Sequence, residues 1–233
     1  MKLHLPSIVR ELGKEFENAG YEAYLVGGAV RNLLRKERPS DFDIATNALP
    51  EQVSAIFRRV IPTGIKHGTV TVFFREHQFE TTTFRTENAY SDLRRPDSVH
   101  FVPTIEEDLK RRDFTINSMA VHAVNGTITD PHNGQDDLKS GIIRAVGDPF
   151  ERFSEDGLRL LRACRFACQL NFSIEASTLS AMRAQKDTIR SISAERVRDE
   201  LNKILASDQP SLGFLTMESA GLLEIILPEL SLG

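Results

Sequence analysis

The chain has 233 residues, 40% hydrophobic and 27% charged, a balance that excludes global disorder and supplies enough apolar side chain for a packed core. No apolar run reaches the length of a bilayer span, and the N-terminus lacks the apolar core of a signal peptide, so a soluble cytoplasmic protein with no membrane partner is expected. The net charge of -4 gives no argument for nucleic acid, although Arg144 to Lys203 carries eleven basic against nine acidic residues.

Helical spacing predicts an amphipathic helix over residues 5–19, then a strand from Glu22 to Val26 ending at Gly27-Gly28. A helix from Ala29 to Lys36, a turn at Pro39-Ser40 and a strand from Asp41 to Ala45 follow, and Pro50 opens another helix. Strands are expected over Thr69–Phe74 and Phe79–Phe84. The polar stretch Thr86 to Ser98 reads as a mobile loop, and His67 as a turn residue. Phe114 to Val121 is a short apolar element, and Thr127 to Asp130 leads into a turn at Pro131–Gly134. From about Phe150 onward strand patterns vanish and helical repeats carry the chain to Leu230. The fold expected is α+β, with residues 1–147 as a first domain and 148–233 as a helical second domain. Cys164 and Cys168, one helical turn apart, are expected to be reduced and packed.

Three constellations carry chemistry. Asp41-Phe42-Asp43 on a strand points two carboxylates to one face, a donor set that suits Mg²⁺; the alternative is a strand end with capping carboxylates. Gly27 and Gly28 leave room for an anion to approach the backbone beside that strand, and Arg31 follows them. The pair of features is that of a phosphoryl-transfer site, and no Rossmann or P-loop glycine pattern is present. Lys110-Arg111-Arg112-Asp113-Phe114-Thr115-Ile116-Asn117 abuts an apolar element that must be buried; Arg forks there can neutralise phosphate oxygens and Asn117 can bond a ribose hydroxyl, the alternative being a surface charge run. Glu155, Asp156 and Arg159 share one helix face by spacing, either as an intrahelical salt bridge or as an acceptor and a donor edge. Such edges match the amino donor and ring-nitrogen acceptor of cytosine and adenine and mismatch uracil and guanine.

The order GGAVR, DFD, KHGTVTV, DLRRPDSVHF, EEDLKRRDFTIN, DPFERF, EDGLR and AERVRDEL, from Tyr21 to Leu205, resembles the class II tRNA nucleotidyltransferases and the related bacterial poly(A) polymerases. The resemblance implies a polymerase-beta-type nucleotidyltransferase head followed by an all-helical neck. It implies Asp41 and Asp43 as catalytic metal ligands for Mg²⁺, with ATP, CTP and tRNA as partners. Gly27, Gly28, Arg31, Arg112, Asp113 and Asn117 are then expected to bind nucleotide, with Glu155, Asp156 and Arg159 as the amino-acid template for the base and Arg162 beside them. CCA addition is the expected activity, with poly(A), CC-adding or A-adding activity as alternatives. A non-catalytic RNA- or nucleotide-binding module is the alternative of another class, and it would have little reason to keep both aspartates.

Asn32 stands where the family pattern GGxVRD has Asp, which removes one charge partner for Arg31. Gly157 lowers helix propensity inside the template by up to about 1 kcal/mol, so mobility is expected there. Because members of the family continue into body and tail helices, the sequence ending at Gly233 is expected to be a shortened form. Glu80 is expected on an exposed strand, with a place beside the aspartates as the alternative. Glu195, Arg196, Arg198 and Glu200 are expected to form ion pairs that brace the neck.

Overall fold

The computed structural model describes residues 2–88 and 98–230. These fall into two compact units, residues 2–88 with 98–135, and residues 136–230. Among the described residues no helix is long and apolar enough to cross a membrane.

The first unit opens with α1 (Ser7–Asn18), which buries Val9, Leu12 and Phe16 along one stripe. β1 (Ala23–Val26), α2 (Gly28–Leu34), β2 (Asp43–Thr46) and α3 (Pro50–Ile56) follow. In α3 Pro50 occupies the first turn, and the Gln52 side chain accepts from the Leu49 N–H at 2.8 Å, satisfying one of the donors a helix start leaves open. Next come β3 (Val60–Gly64), β4 (Thr69–Phe74), β5 (His77–Thr83), β6 (Arg85–Asn88), β7 (Ser98–Phe101), α4 (Ile105–Lys110), β8 (Ala120–His122) and β9 (Ile128–Thr129).

Seven strands form one sheet in the order β3-β4-β5-β2-β1-β8-β9. β2 and β5 run parallel and every other neighbouring pair antiparallel. Ile105 and Leu109 of α4 pack on Val26, Ala45, Phe84 and Ala120, so α4 closes over the sheet where β2 and β1 lie. β6 and β7 pair separately, with Arg85 opposite Phe101. The polar loop expected from Thr86 to Ser98 therefore begins and ends in strand; its remainder, Ala89–Asp97, lies outside the described residues. Backbone pairing overrides a weak local signal there.

The second unit is helical: α5 (Gly134–Ser140, beginning at the junction), α6 (Pro149–Glu155), α7 (Leu158–Leu170), α8 (Ala176–Ala184), α9 (Ala194–Leu205), α10 (Pro210–Ser219) and α11 (Leu223–Ile226). α7 is its centre, burying Leu160, Leu161, Ala163, Cys164 and Ala167. α10 comes close because Gly213 has no side chain: a β-carbon would stand 2.6 Å from Ile204 Cγ2 and 3.2 Å from Cys168 Sγ. Both cysteines are free and buried. Strand does not vanish after Phe150: β11 (Ser173–Ile174) pairs in parallel with β10 (Ile142–Ile143). That pairing ties the segment before Gly147 to the helices after it, and the change of pattern read near Gly147 lies inside this unit.

Candidate active site

In the first unit, β2 starts at Asp43, two residues later than the sequence pattern suggests. Asp41 stands in the lead-in, where its Oδ2 accepts from Ser40 Oγ at 2.9 Å. Ile44 is buried, while Phe42 is only half-buried and stacks on Phe79, with ring centroids 5.8 Å apart. Asp41, Asp43 and Glu80 nonetheless line one cleft of about 490 Å3, together with Ser40, Phe42, Glu76, His77 and Gln78. Glu80 reaches it because β2 and β5 are parallel neighbours in a register that sets Asp43 directly opposite Glu80. An exposed glutamate on a strand carries no local sign of that register; it is a property of the sheet.

The proximity of these carboxylates has an electrostatic consequence. Desolvation, then the negative charge of Glu80, push the Asp43 carboxyl up to about 6; Arg112 opposes the rise and Asp41 adds to it. Carboxylates whose charges repel one another are a donor set that fits a hard divalent cation. Among the described residues no group of three or more His, Cys, Asp or Glu is arranged to hold a metal by itself.

Gly27 links the cleft to the cationic segment. Its φ of 66° and ψ of -138° belong to a region open essentially to glycine. A β-carbon there would lie 3.5 Å from Arg112 Nη1 and 3.6 Å from Asp43 Oδ2, so guanidinium and carboxylate flank the bare backbone. Gly28 starts α2, with Arg31 Nη2 3.4 Å from its β-carbon position. Arg112 Nη2 donates to Asp108 Oδ2 at 3.1 Å, and its Nε is buried without a hydrogen-bond partner. A buried donor in that state is a place for an anionic oxygen.

Asp108, which the sequence reading did not single out, organises this cationic segment. It is 1% exposed. Burial alone would raise its pKa, but Arg111 and Arg112 together hold it below the ordinary carboxylate value. Arg111 donates to its Oδ1 at 2.9 Å, so one carboxylate aims both guanidinium forks. Its positions three and four residues before Arg111 and Arg112 on α4 were the available signal.

Asn117 and Asp113 are turned inward. Asn117 Oδ1 accepts from Arg31 Nη1 at 2.6 Å and its Nδ2 donates to Asp113 Oδ1 at 3.2 Å; Asp113 Oδ1 also accepts from the Phe114 N–H at 2.8 Å. With both ends of its amide engaged inside the protein, Asn117 orients Arg31, and Asn32 contributes a longer contact to Arg31 of 3.3 Å. His67 closes a 3-10 turn, Ile65–His67, and its carbonyl accepts from Arg85 Nη1.

In the second unit, Glu155, Asp156 and Arg159 are not on one helix. α6 ends at Glu155, Asp156 is extended (φ -146°, ψ 106°), and α7 begins at Leu158. The break arises because Asp156 Oδ1 takes the Leu158 N–H at 3.0 Å, the way a capping carboxylate starts a helix. Gly157 fits there for packing: a β-carbon would stand 2.6 Å from the Thr188 carbonyl oxygen. Arg159, 7% exposed, donates to Glu155 Oε2 and to the Arg152 carbonyl at 2.9 Å. Arg162 lies over the Phe166 ring, 5.4 Å from its centroid. Of the four α9 residues expected to brace the neck, two do so: Arg196 Nη2 meets Asp156 Oδ2 at 2.9 Å and Glu200, 3% exposed, takes Arg165 Nε at 2.6 Å, whereas among the described residues Arg198 meets only its exposed neighbour Asp199 at 3.4 Å.

The family model "Poly A polymerase head domain" matches residues 23–144, and "Probable RNA and SrmB- binding site of polymerase A" matches residues 171–232. The chain is 48% identical over 222 residues to a CCA-adding enzyme of Levilactobacillus brevis, covering 94% of this chain and 56% of that protein. It is 53% identical over 188 residues to a CCA-adding enzyme of Lactobacillus helveticus, covering 81% and 47%. The chain thus spans about half the length of the curated relatives it matches. Among solved structures, the Bacillus stearothermophilus CCA-adding enzyme in complex with CTP superposes with a TM-score of 0.86 at 41% identity, covering 94% of this chain and 53% of that one. The Thermotoga maritima CCA-adding enzyme complexed with tRNA gives 0.78 at 28% identity, covering 95% and 52%. With more than half of its residues matched by the head-domain model, the chain belongs to the Poly A polymerase head-domain family.

Proposed function

We propose that the chain carries the nucleotidyl-transfer chemistry of a tRNA nucleotidyltransferase, which adds C and A from CTP and ATP to the tRNA 3′ end without a nucleic-acid template. In this reaction the 3′-oxygen bonds to the α-phosphorus while the bond from that phosphorus to the bridging oxygen breaks and pyrophosphate leaves. The observation that carries the reading is the convergence of Asp41, Asp43 and Glu80 on one cleft, with the bare backbone of Gly27 set between Asp43 and Arg112. The relatives named CCA-adding enzyme, and the likeness to structures described with CTP and with tRNA, support it.

Asp41 and Asp43 would hold magnesium, which when bound lowers the pKa of the attacking hydroxyl and stabilises the charge that develops on the leaving pyrophosphate. Arg112 neutralises phosphate oxygens beside the bare backbone of Gly27 and Gly28, and Asp108 keeps its fork aimed. Arg31, held by Asn117, adds a second cation. Asp156 accepts from the exocyclic amino group of cytosine or adenine and Arg159 donates to the ring nitrogen, so UTP and GTP each leave a polar group unmatched. Within this reading the unit that ends at residue 135 is the nucleotidyltransferase head and the unit that begins at residue 136 is the helical neck, and the protein works in the cytoplasm with its RNA.

The test is incorporation of labelled CTP and ATP into tRNAs ending before the first C, after CC, or at CCA. CMP added first and a single AMP added only after CC is the expected result. Repeated AMP on any 3′ end would make the protein a poly(A) polymerase, and no incorporation with either nucleotide would overturn the enzymatic reading.

A further inference from the structure

The carboxylate assigned to base reading is held from a distant part of the sequence. Asp156 is the extended residue between α6 and α7, and without support its side chain would be free to choose among rotamers. Both its oxygens are engaged, Oδ1 by the Leu158 N–H at 3.0 Å and Oδ2 by Arg196 Nη2 at 2.9 Å. Arg196 lies in the first turn of α9, forty residues later. One turn further along α9, Glu200 takes Arg165 of α7 at 2.6 Å and Lys203 at 3.0 Å. Residues four apart share a helix face, so a single face of α9 grips α7 at Arg165 and the break at Asp156. On the other side of Asp156, the packing of Gly157 against the Thr188 carbonyl leaves the backbone no room for a β-carbon. The turn is therefore fixed through both its backbone and its side chain.

We propose that Arg196 is a positioning residue for base selection: its bond to Oδ2 fixes the orientation in which Asp156 offers its acceptor edge to the nucleobase. A carboxylate has about four lone-pair positions, so two bonds that anchor it leave acceptor capacity for an incoming amino group. This inference rests on the base-reading role of Asp156 given above.

The experiment measures kcat/KM for CTP, ATP, UTP and GTP on a tRNA lacking its terminal nucleotides, for the wild type, Arg196→Ala, Arg196→Lys, Asp156→Ala and the double Asp156→Ala/Arg196→Ala variant. Loss of one hydrogen bond to a charged group is expected to lower the preference for CTP over UTP roughly tenfold in Arg196→Ala. Arg196→Lys should recover most of it, because a single N–O contact to Oδ2 is within reach of an ammonium group. The double variant should be no less selective than Asp156→Ala, since Arg196 acts through that carboxylate. If Arg196→Ala does not fold, as judged by circular dichroism, Arg196→Gln takes its place under the same criterion. An unchanged CTP preference in the Arg196 variant while Asp156→Ala loses it, or effects that add in the double variant, would overturn this inference alone. A wild type without base preference, or an Asp156→Ala variant that keeps it, would overturn the base-reading assignment and this inference with it.

Discussion

Replacing Asp43 with Asn should stabilise the metal-free protein while removing its activity. Asp43 sits opposite Glu80 and beside Asp41, and its carboxyl is raised from an ordinary 3.8 to about 6. A raised carboxyl pKa means the folded state binds a proton more readily than the unfolded one, so ionisation opposes folding. Below an unfolded pKa near 3.8 both states are neutral and there is no penalty; it grows as pH rises toward 6 and is complete above that. At about 1.36 kcal/mol per pH unit the full difference is about 3 kcal/mol, and because the residue is exposed at the rim of the cleft, about 1 kcal/mol should remain after solvent screening. Urea unfolding in EDTA at pH 7.5 and pH 4 would measure this. Asp43→Asn should be the more stable protein at pH 7.5, with its advantage mostly gone at pH 4. Millimolar Mg²⁺ should raise the midpoint of the wild type and leave that of the variant nearly unmoved. Equal stability at pH 7.5, or the same advantage at both pH values, would refute the electrostatic account of the cleft.

Asp41→Ala should abolish nucleotide addition with an unchanged circular dichroism spectrum, and near wild-type turnover would remove Asp41 from the metal site. Gly157→Ala should destabilise the protein by about 2 kcal/mol in thermal unfolding, because its β-carbon would stand 2.6 Å from the Thr188 carbonyl while its φ of -59° suits any residue. Arg165→Met should cost about 3 kcal/mol in urea unfolding by leaving the buried Glu200 carboxylate with Lys203 alone among the partners seen here. Arg165→Met/Glu200→Leu should recover much of that loss, and a double variant no better than the single would deny that the buried charge is the cause.

The sequence by itself determined the local elements and the chemistry along them. Alternating and helical apolar spacing located α1, β1, α2 and β4 within a residue or two, because burial of one face imposes its period on the residues. Gly27-Gly28, the two aspartates and the Arg111-Arg112 pair were legible since each works through its own backbone or its immediate neighbours. The fused reading of Glu155, Asp156 and Arg159 as one helical face failed for the same reason: spacing assumes an unbroken helix, and a hydrogen bond from the Leu158 N–H to Asp156, with the fit of Gly157 against Thr188, ends it. What lies between distant segments was decided only by the tertiary structure. Glu80 came to face Asp43 through the parallel register of β2 and β5, and Arg196 came to Asp156 across forty residues. β10 and β11 paired from opposite sides of the expected boundary at Gly147. Strand register and helix packing are set by the complementarity of whole faces, a property no short window of residues contains.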